Sequence, residues 1–200
     1  MNQFTYHSGR GLYINLTNRC DMNCEFCIRR GHTGVGDADS LWLDREPERQ
    51  EVLDEILGQD YAAFDEIVFC GFGEPTMRLD DMLWLCDQLK KRPDMPPIRV
   101  NTNGHASLIA GRDVASRFEG RLDTVSVSLN APSAEEYVAL CHPDAGEVAF
   151  DAMLDFTKKV SAYVPHTLLS IVDVVPPETI ELCRKVAESC GVPLRVRTFE

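Results

Sequence analysis

The sequence predicts an α/β fold built on a parallel sheet. Three observations carry that expectation: short runs rich in Val, Ile, Leu or Phe, helix-period segments between them, and polar residues gathered directly after the strand runs. The first strand falls at residues 12–16 and the second at 67–70. Between them, residues 46–57 place Val52, Leu53, Ile56 and Leu57 on one helical face, with Pro47 near a first-turn position. Leu79, Leu83, Cys86 and Leu89 trace the next helical stripe, which leads to a strand at 98–101. After a fourth strand at 124–129, Ser133 and Glu136 have capping-box spacing, so a helix starts there and stops near Cys141, His142 and Pro143. A further helix covers 148–163, and the fifth strand covers 168–175. The last helix begins after Pro176 and Pro177, carries Ile180, Cys183, Ala187 and Cys190 at helical spacing, and ends at Gly191 before Pro193. It feeds a sixth strand at 194–198. Apolar strands in βα order imply parallel pairing, either doubly wound or in a barrel.

Two hundred residues with 44% hydrophobic side chains make one domain, 1–200. Lys and Arg number 20 against 32 Asp and Glu, a formal charge of −12, which argues against a dedicated nucleic-acid binder. No apolar run approaches the roughly 18 residues of a membrane span, and the N-terminus has no apolar signal core. A cytoplasmic protein without a membrane partner is therefore expected. Eight cysteines are too sparse for a disulfide scaffold; in a reducing compartment, clustered cysteines read as metal ligands or catalytic groups.

In either parallel architecture the ligand site lies at the carboxyl ends of the strands. Asn15, Thr17 and Asn18 follow the first strand, Cys70 to Glu74 the second, and Asn101 and Asn103 the third. Ser126, Ser128 and Asn130 share one face of the fourth, and Asp173 sits late in the fifth. Cys20, Cys24 and Cys27 have C-x3-C-x2-C spacing in the loop after the first strand. Three thiolates can ligate three irons of a cubane cluster and leave the fourth iron to an exchangeable ligand. A closed zinc site wants a fourth ligand, for which His32 is the candidate, so a non-catalytic zinc or iron-sulfur module is the alternative.

With Phe26 in the aromatic slot, this cysteine motif resembles that of the radical S-adenosylmethionine (SAM) superfamily. Gly71-Phe72-Gly73-Glu74-Pro75 resembles the family's glycine-glycine-glutamate-proline motif, with Phe72 as an inserted departure. Asn101-Thr102-Asn103-Gly104 resembles its threonine-asparagine-glycine turn, and Ser128 its ribose- or carboxylate-contacting serine. The resemblance implies a single-domain incomplete (β/α)6 barrel, the radical SAM core, with a 4Fe-4S cluster on Cys20, Cys24 and Cys27. It also implies SAM held by Phe26, Gly71, Gly73, Glu74, Asn103 and Ser128, with backbone carbonyls and the Glu74 carboxylate accepting from its ammonium group. Reductive cleavage of SAM would then give a 5′-deoxyadenosyl radical that abstracts hydrogen from a substrate. Strand five departs from the family's glycine-rich adenine-contacting pattern, leaving Asp173 as a candidate contact.

Four blocks, Asn15 to Cys20, Cys27 to Arg30, Phe69 to Pro75 and Ser128 to Pro132, resemble the TatD-associated radical SAM proteins, whose substrate is not established. The implied partners are an electron donor such as flavodoxin or ferredoxin and a TatD-type hydrolase in the same pathway. A large substrate or partner protein is expected over the open side of the barrel. The substrate classes in competition are a peptide or protein and a nucleotide-derived small molecule.

Other residues carry expectations of their own. The barrel mouth should be narrow and apolar around Phe26 and Phe72, with Arg19, Arg29 and Arg30 offsetting the charge of the cluster or of SAM. Cys141, in a break between helices, is a candidate catalytic hydrogen donor or adduct former, set against a buried structural thiol. Cys70 is a candidate cavity residue, and His105 a candidate proton carrier set against an ordinary exposed histidine. Cys86, Cys183 and Cys190 read as core.

Overall fold

Alternating apolar residues draw the strands into one seven-stranded sheet whose strands lie side by side in chain order. In this computed structural model, which describes residues 3–198, they are β1 (Thr5–Ser8), β2 (Gly11–Ile14), β3 (Glu66–Phe69), β4 (Ile98–Thr102), β5 (Thr124–Ser128), β6 (His166–Val172) and β7 (Leu194–Arg197). Every pair from β2 to β7 is parallel, and the sheet stays unclosed. These are the six expected strands of an incomplete barrel. β1 is an addition, an antiparallel hairpin partner of β2 that turns at Gly9, where φ is +57°. It lacks an apolar alternation because Thr5 and His7 point at polar side chains, Thr5 donating to Glu55 and His7 bonded to Gln59.

The helices are α1 (Arg49–Leu57), α2 (Leu79–Leu89), α3 (Ala106–Ala110), α4 (Ala134–Cys141), α5 (Val148–Val160) and α6 (Pro177–Ser189). Leu12, Ile14, Ile67, Phe69, Val100, Val125, Val127, Leu169 and Ile171 point toward them from the sheet and form one core with Val52, Leu85, Cys86, Phe156 and Cys183. Each fully buried Leu, Ile or Phe there contributes about 1.5–3 kcal/mol. Cys86, Cys183 and Cys190 are core residues as expected. α1 starts later than expected because Glu48 and Glu51 form its capping box. α4 has the expected Ser133 cap and ends on His142, which is left-handed at φ +45°. The five-residue α3 is too short to show a period.

The register places Tyr13, Glu66, Arg99, Asn101, Ser126, Ser128, Ser170, Arg195 and Arg197 on the other, concave face. At its β1 edge the face is covered by the long connection from β2 to α1. Ala38 and Leu41 of this strap pack with Tyr6 and Phe72 in a second, smaller core, and Trp42 lies edge-on to Phe72. Phe72 thus corrects the expectation that it frames an open mouth: it is buried as the anchor of the strap. Among the described residues, no helix is long and apolar enough to cross a membrane.

Candidate cofactor site

The loop after β2 carries Cys20, Cys24 and Cys27, all reduced and half-buried. The residues between the cysteines explain why this loop holds its shape. Asp21 turns inward, its Oδ1 accepting from Asn103 Nδ2 at 2.6 Å and its Oδ2 bonded to His105 Nδ1 at 2.6 Å. His105 Nε2 lies 3.0 Å from the Tyr137 hydroxyl, which donates to Met22 Sδ. His105 is 0% exposed, which corrects the reading of an exposed histidine after a turn. On the outer side Arg29 donates to the carbonyls of Asn18 and Met22, and Arg30 to that of Asn23. Arg19 pairs with Glu46 instead.

Burial pushes the Asp21 carboxyl up, but the hydrogen bonds and charge of His105 outweigh it and hold the group below its ordinary range. A depressed folded value means that this anchor is fully present above the unfolded value of about 3.9 and is lost as pH falls through the folded one. Asp21→Asn keeps the size and removes the charge. It is expected to speed iron loss to a chelator several-fold while the helical signal stays native, and unchanged iron release would contradict the anchor role.

The turn after β3 docks onto the cysteine loop. Glu74 N donates to Arg19 O at 2.8 Å, and a Cβ on Gly73 would lie 2.6 Å from Arg19 O and closer still to Thr17 O. Only glycine permits that approach. The Glu74 carboxylate is buried and accepts four hydrogen bonds: Thr76 N, Thr76 Oγ1 and Thr102 Oγ1 on Oε1, and Asn103 N on Oε2. Burial pushes this carboxyl up, while the donors of Asn103, Thr102 and Thr76 pull it down. Glu74 thus clasps the ends of β3 and β4, and its Oε2, which accepts only from Asn103 N, keeps a second lone pair. Asn103 ties the same loops, its Nδ2 donating to Asp21 and its Oδ1 accepting from His105 N. Phe26 packs against the main core beside Cys20 and Cys24, and Ser128 stands half-buried on the concave face.

Cys141 is the last residue of α4 and 0% exposed, so hydrogen donation to a substrate or adduct formation is closed to it in this conformation. The cysteine loop lies directly on it, with Asn23 N donating to Cys141 O at 3.1 Å and Glu25 N to Leu140 O at 3.0 Å. The hydrogen bond with Cys141, followed by burial, pushes the Cys24 thiol up; burial, followed by the charge of Glu74, pushes Cys20 up to about 12. These thiols hold their protons until a metal displaces them. Cys70 is half-buried at the end of β3, and its carbonyl accepts from the Tyr6 hydroxyl.

Two features fit the group implied by the cysteines. Asn15 Oδ1, against Gly71, and Asn130 Oδ1, after β5, are buried acceptors without a partner at the carboxyl ends of the strands, and SAM brings ammonium, hydroxyl and amino donors. Among the described residues no three His, Cys, Asp or Glu side chains converge on one ion, and His32 is exposed. A zinc ion asks for such convergence, whereas a cubane asks each thiolate to reach a different iron.

An unclosed parallel barrel with three cysteines after its first parallel strand and a glycine-glutamate turn after the second defines a class built around a cluster and a chelated cosubstrate. Residues 14–190 match the radical SAM superfamily, and the chain belongs to that family, whose members use a 4Fe-4S cluster and SAM. It is 28% identical to the tungsten-containing aldehyde ferredoxin oxidoreductase cofactor-modifying protein of Pyrococcus furiosus, over 80% of this chain and 43% of that protein. It is 31% identical to a probable GTP 3′,8-cyclase of Methanocella arvoryzae, over 72% of this chain and 41% of that one. The chain thus matches less than half the length of these curated relatives. The FeFe-hydrogenase maturase HydG from Carboxydothermus hydrogenoformans superposes with a TM-score of 0.66 at 16% identity, over 95% of this chain and 44% of that one.

Asp21 and Tyr137 escaped sequence reasoning as supports, and Asn15, read as a polar residue at the ligand end of its strand, also donates to Leu41 O at 2.6 Å. Only Asp21 offered a signal, an acid lodged between two cluster cysteines, and its partners are distant in the chain.

Proposed function

We propose that the protein is a radical SAM enzyme that abstracts hydrogen from a small, nucleotide-derived substrate on the concave face. The observation that carries this reading is the three-cysteine loop, locked by Asp21 and by the Gly73-Glu74 turn over the carboxyl ends of the strands. Cys20, Cys24 and Cys27 hold the cluster. Gly71, Asn15 and Asn130 face the methionine and nucleoside ends of SAM, beside Ser128 and Phe26. When bound, the cluster supplies the electron that cleaves SAM to methionine and a 5′-deoxyadenosyl radical. The chain's own residues orient SAM, and the strap under Trp42 and Phe72 shields one edge of the face from water and oxygen.

The relatives named as GTP 3′,8-cyclases support a nucleotide-derived substrate over a peptide. A low-potential carrier such as flavodoxin or ferredoxin is the proposed electron source. The four sequence blocks support a TatD-associated member, with a TatD-type hydrolase in the same pathway. Anaerobic reconstitution should give about four irons and four sulfides per chain and an electron paramagnetic resonance signal that shifts when SAM is added. A His32→Ala protein should behave identically. Zinc in place of iron, lost with His32, would favour the non-catalytic module.

A further inference from the structure

The concave face holds a charge arrangement at odds with the rest of the chain. By register, its strand-borne charged residues are Glu66 on β3, Arg99 on β4, and Arg195 and Arg197 on β7, with His166 at the start of β6. Three arginines thus face one glutamate, inside a chain whose formal charge is −12. The glutamate is already taken: Arg99 donates to both Glu66 oxygens, at 2.9 and 2.6 Å, and to Asn101 Oδ1 at 2.7 Å. Among the described residues, Arg195 and Arg197 form no ion pair, and Arg197 Nε is buried with no acceptor at all.

Arg195 is exposed, but Arg197 is half-buried, and its neighbours across the face include Cys70, Arg99 and Tyr13. Burial, reinforced by Arg195 and Arg99 and opposed by Cys70 and Tyr13, pushes its guanidinium below the usual range. A half-buried cation with a buried, unpaired Nε and Arg195 beside it is costly unless a counterion completes the site. Departures from polar satisfaction of this kind are expected at functional sites. A guanidinium fork suits a planar or tetrahedral oxyanion, which it can grip through two parallel hydrogen bonds.

We infer that Arg197, with Arg195 at the rim, is the binding site for an oxyanion of the substrate, a phosphate or carboxylate carried on the concave face. The substrate is therefore an anion. Ser170 and Ser128, on neighbouring strands at the level of Arg195, offer further hydroxyl donors. The inference rests on the proposed function only in making this anion part of the substrate.

The test uses cluster-reconstituted protein without SAM turnover, so its failure and the failure of the radical SAM reading are distinguishable. Pyrophosphate and citrate serve as phosphate and carboxylate probes in phosphate-free buffer. One of them is expected to raise the melting temperature of the wild type, and which one does so assigns the oxyanion. Arg197→Met should lose about tenfold or more in affinity for that probe. Without probe it should melt at the same temperature or higher, because a half-buried cation with an unpaired Nε has been removed. Arg195→Met should lose less affinity. Failure of both probes to stabilise the wild type would overturn the inference, as would an Arg197→Met protein that misfolds or melts lower, since Arg197 would then be structural. Probe binding that competes with SAM would assign the arginines to the SAM carboxylate and overturn the substrate assignment.

Discussion

Glu74→Ala is expected to cost about 3–5 kcal/mol, a large part of the roughly 5–15 kcal/mol that keeps a domain folded. Two backbone donors, Thr76 N and Asn103 N, lose their only acceptor among the described residues, at about 1–3 kcal/mol each, and the lost side chain leaves a cavity. The hydroxyls of Thr76 and Thr102 can rotate elsewhere, so they add less. Glu74→Gln should lose less, because its carbonyl can keep the Oε1 donors while its amide meets Asn103 N donor to donor. Chemical denaturation of the cluster-free proteins reads both effects. Little loss of stability in Glu74→Ala would contradict the clasp.

Gly73→Ala should be nearly as severe, for a different reason. Its Cβ would press on two backbone carbonyls, Thr17 O and Arg19 O, neither of which has a rotamer to escape through. Overpacking of this kind costs about 1–3 kcal/mol, and here it also separates the Glu74 N to Arg19 O bond that joins the two loops. Iron bound after reconstitution should fall with stability. Gly71→Ala should cost less, because it meets one side chain rather than two backbone carbonyls: the Asn15 amide can turn, although Asn15 Cβ, at 2.8 Å, must also shift. Equal losses at the two glycines would contradict this account of the loop contact.

The parallel strands were legible because apolar residues recur at alternate positions on the helix-covered face, as in Ile98 and Val100 or Val125 and Val127, and the C-x3-C-x2-C spacing was legible because all three ligands sit in one loop. β1 was not, since Thr5 and His7 satisfy polar groups on and beside α1 instead of entering the core. The start of α4, capped by Ser133 with Glu136, was read closely, whereas the Glu48 and Glu51 box that sets the start of α1 was not. What the sequence could not express was pairing at a distance. Asp21 meets His105 and Asn103 across more than 80 residues, and Tyr137 joins from α4. The motif suggested ligand contacts for Glu74 and Asn103, and did not show that their side chains also hold loops together. Supporting and ligand-facing residues look alike in sequence, because both are polar and both cluster at strand ends.

The central claim is that this chain binds a cluster on Cys20, Cys24 and Cys27 and uses it to cleave SAM. Its most direct test is 5′-deoxyadenosine, quantified by mass spectrometry after anaerobic reconstitution and addition of dithionite and SAM, in the wild type and in Cys24→Ala. The account predicts product from the wild type and none above background from the variant. A wild type with a complete cluster that leaves SAM intact, or product that persists in Cys24→Ala, would contradict it.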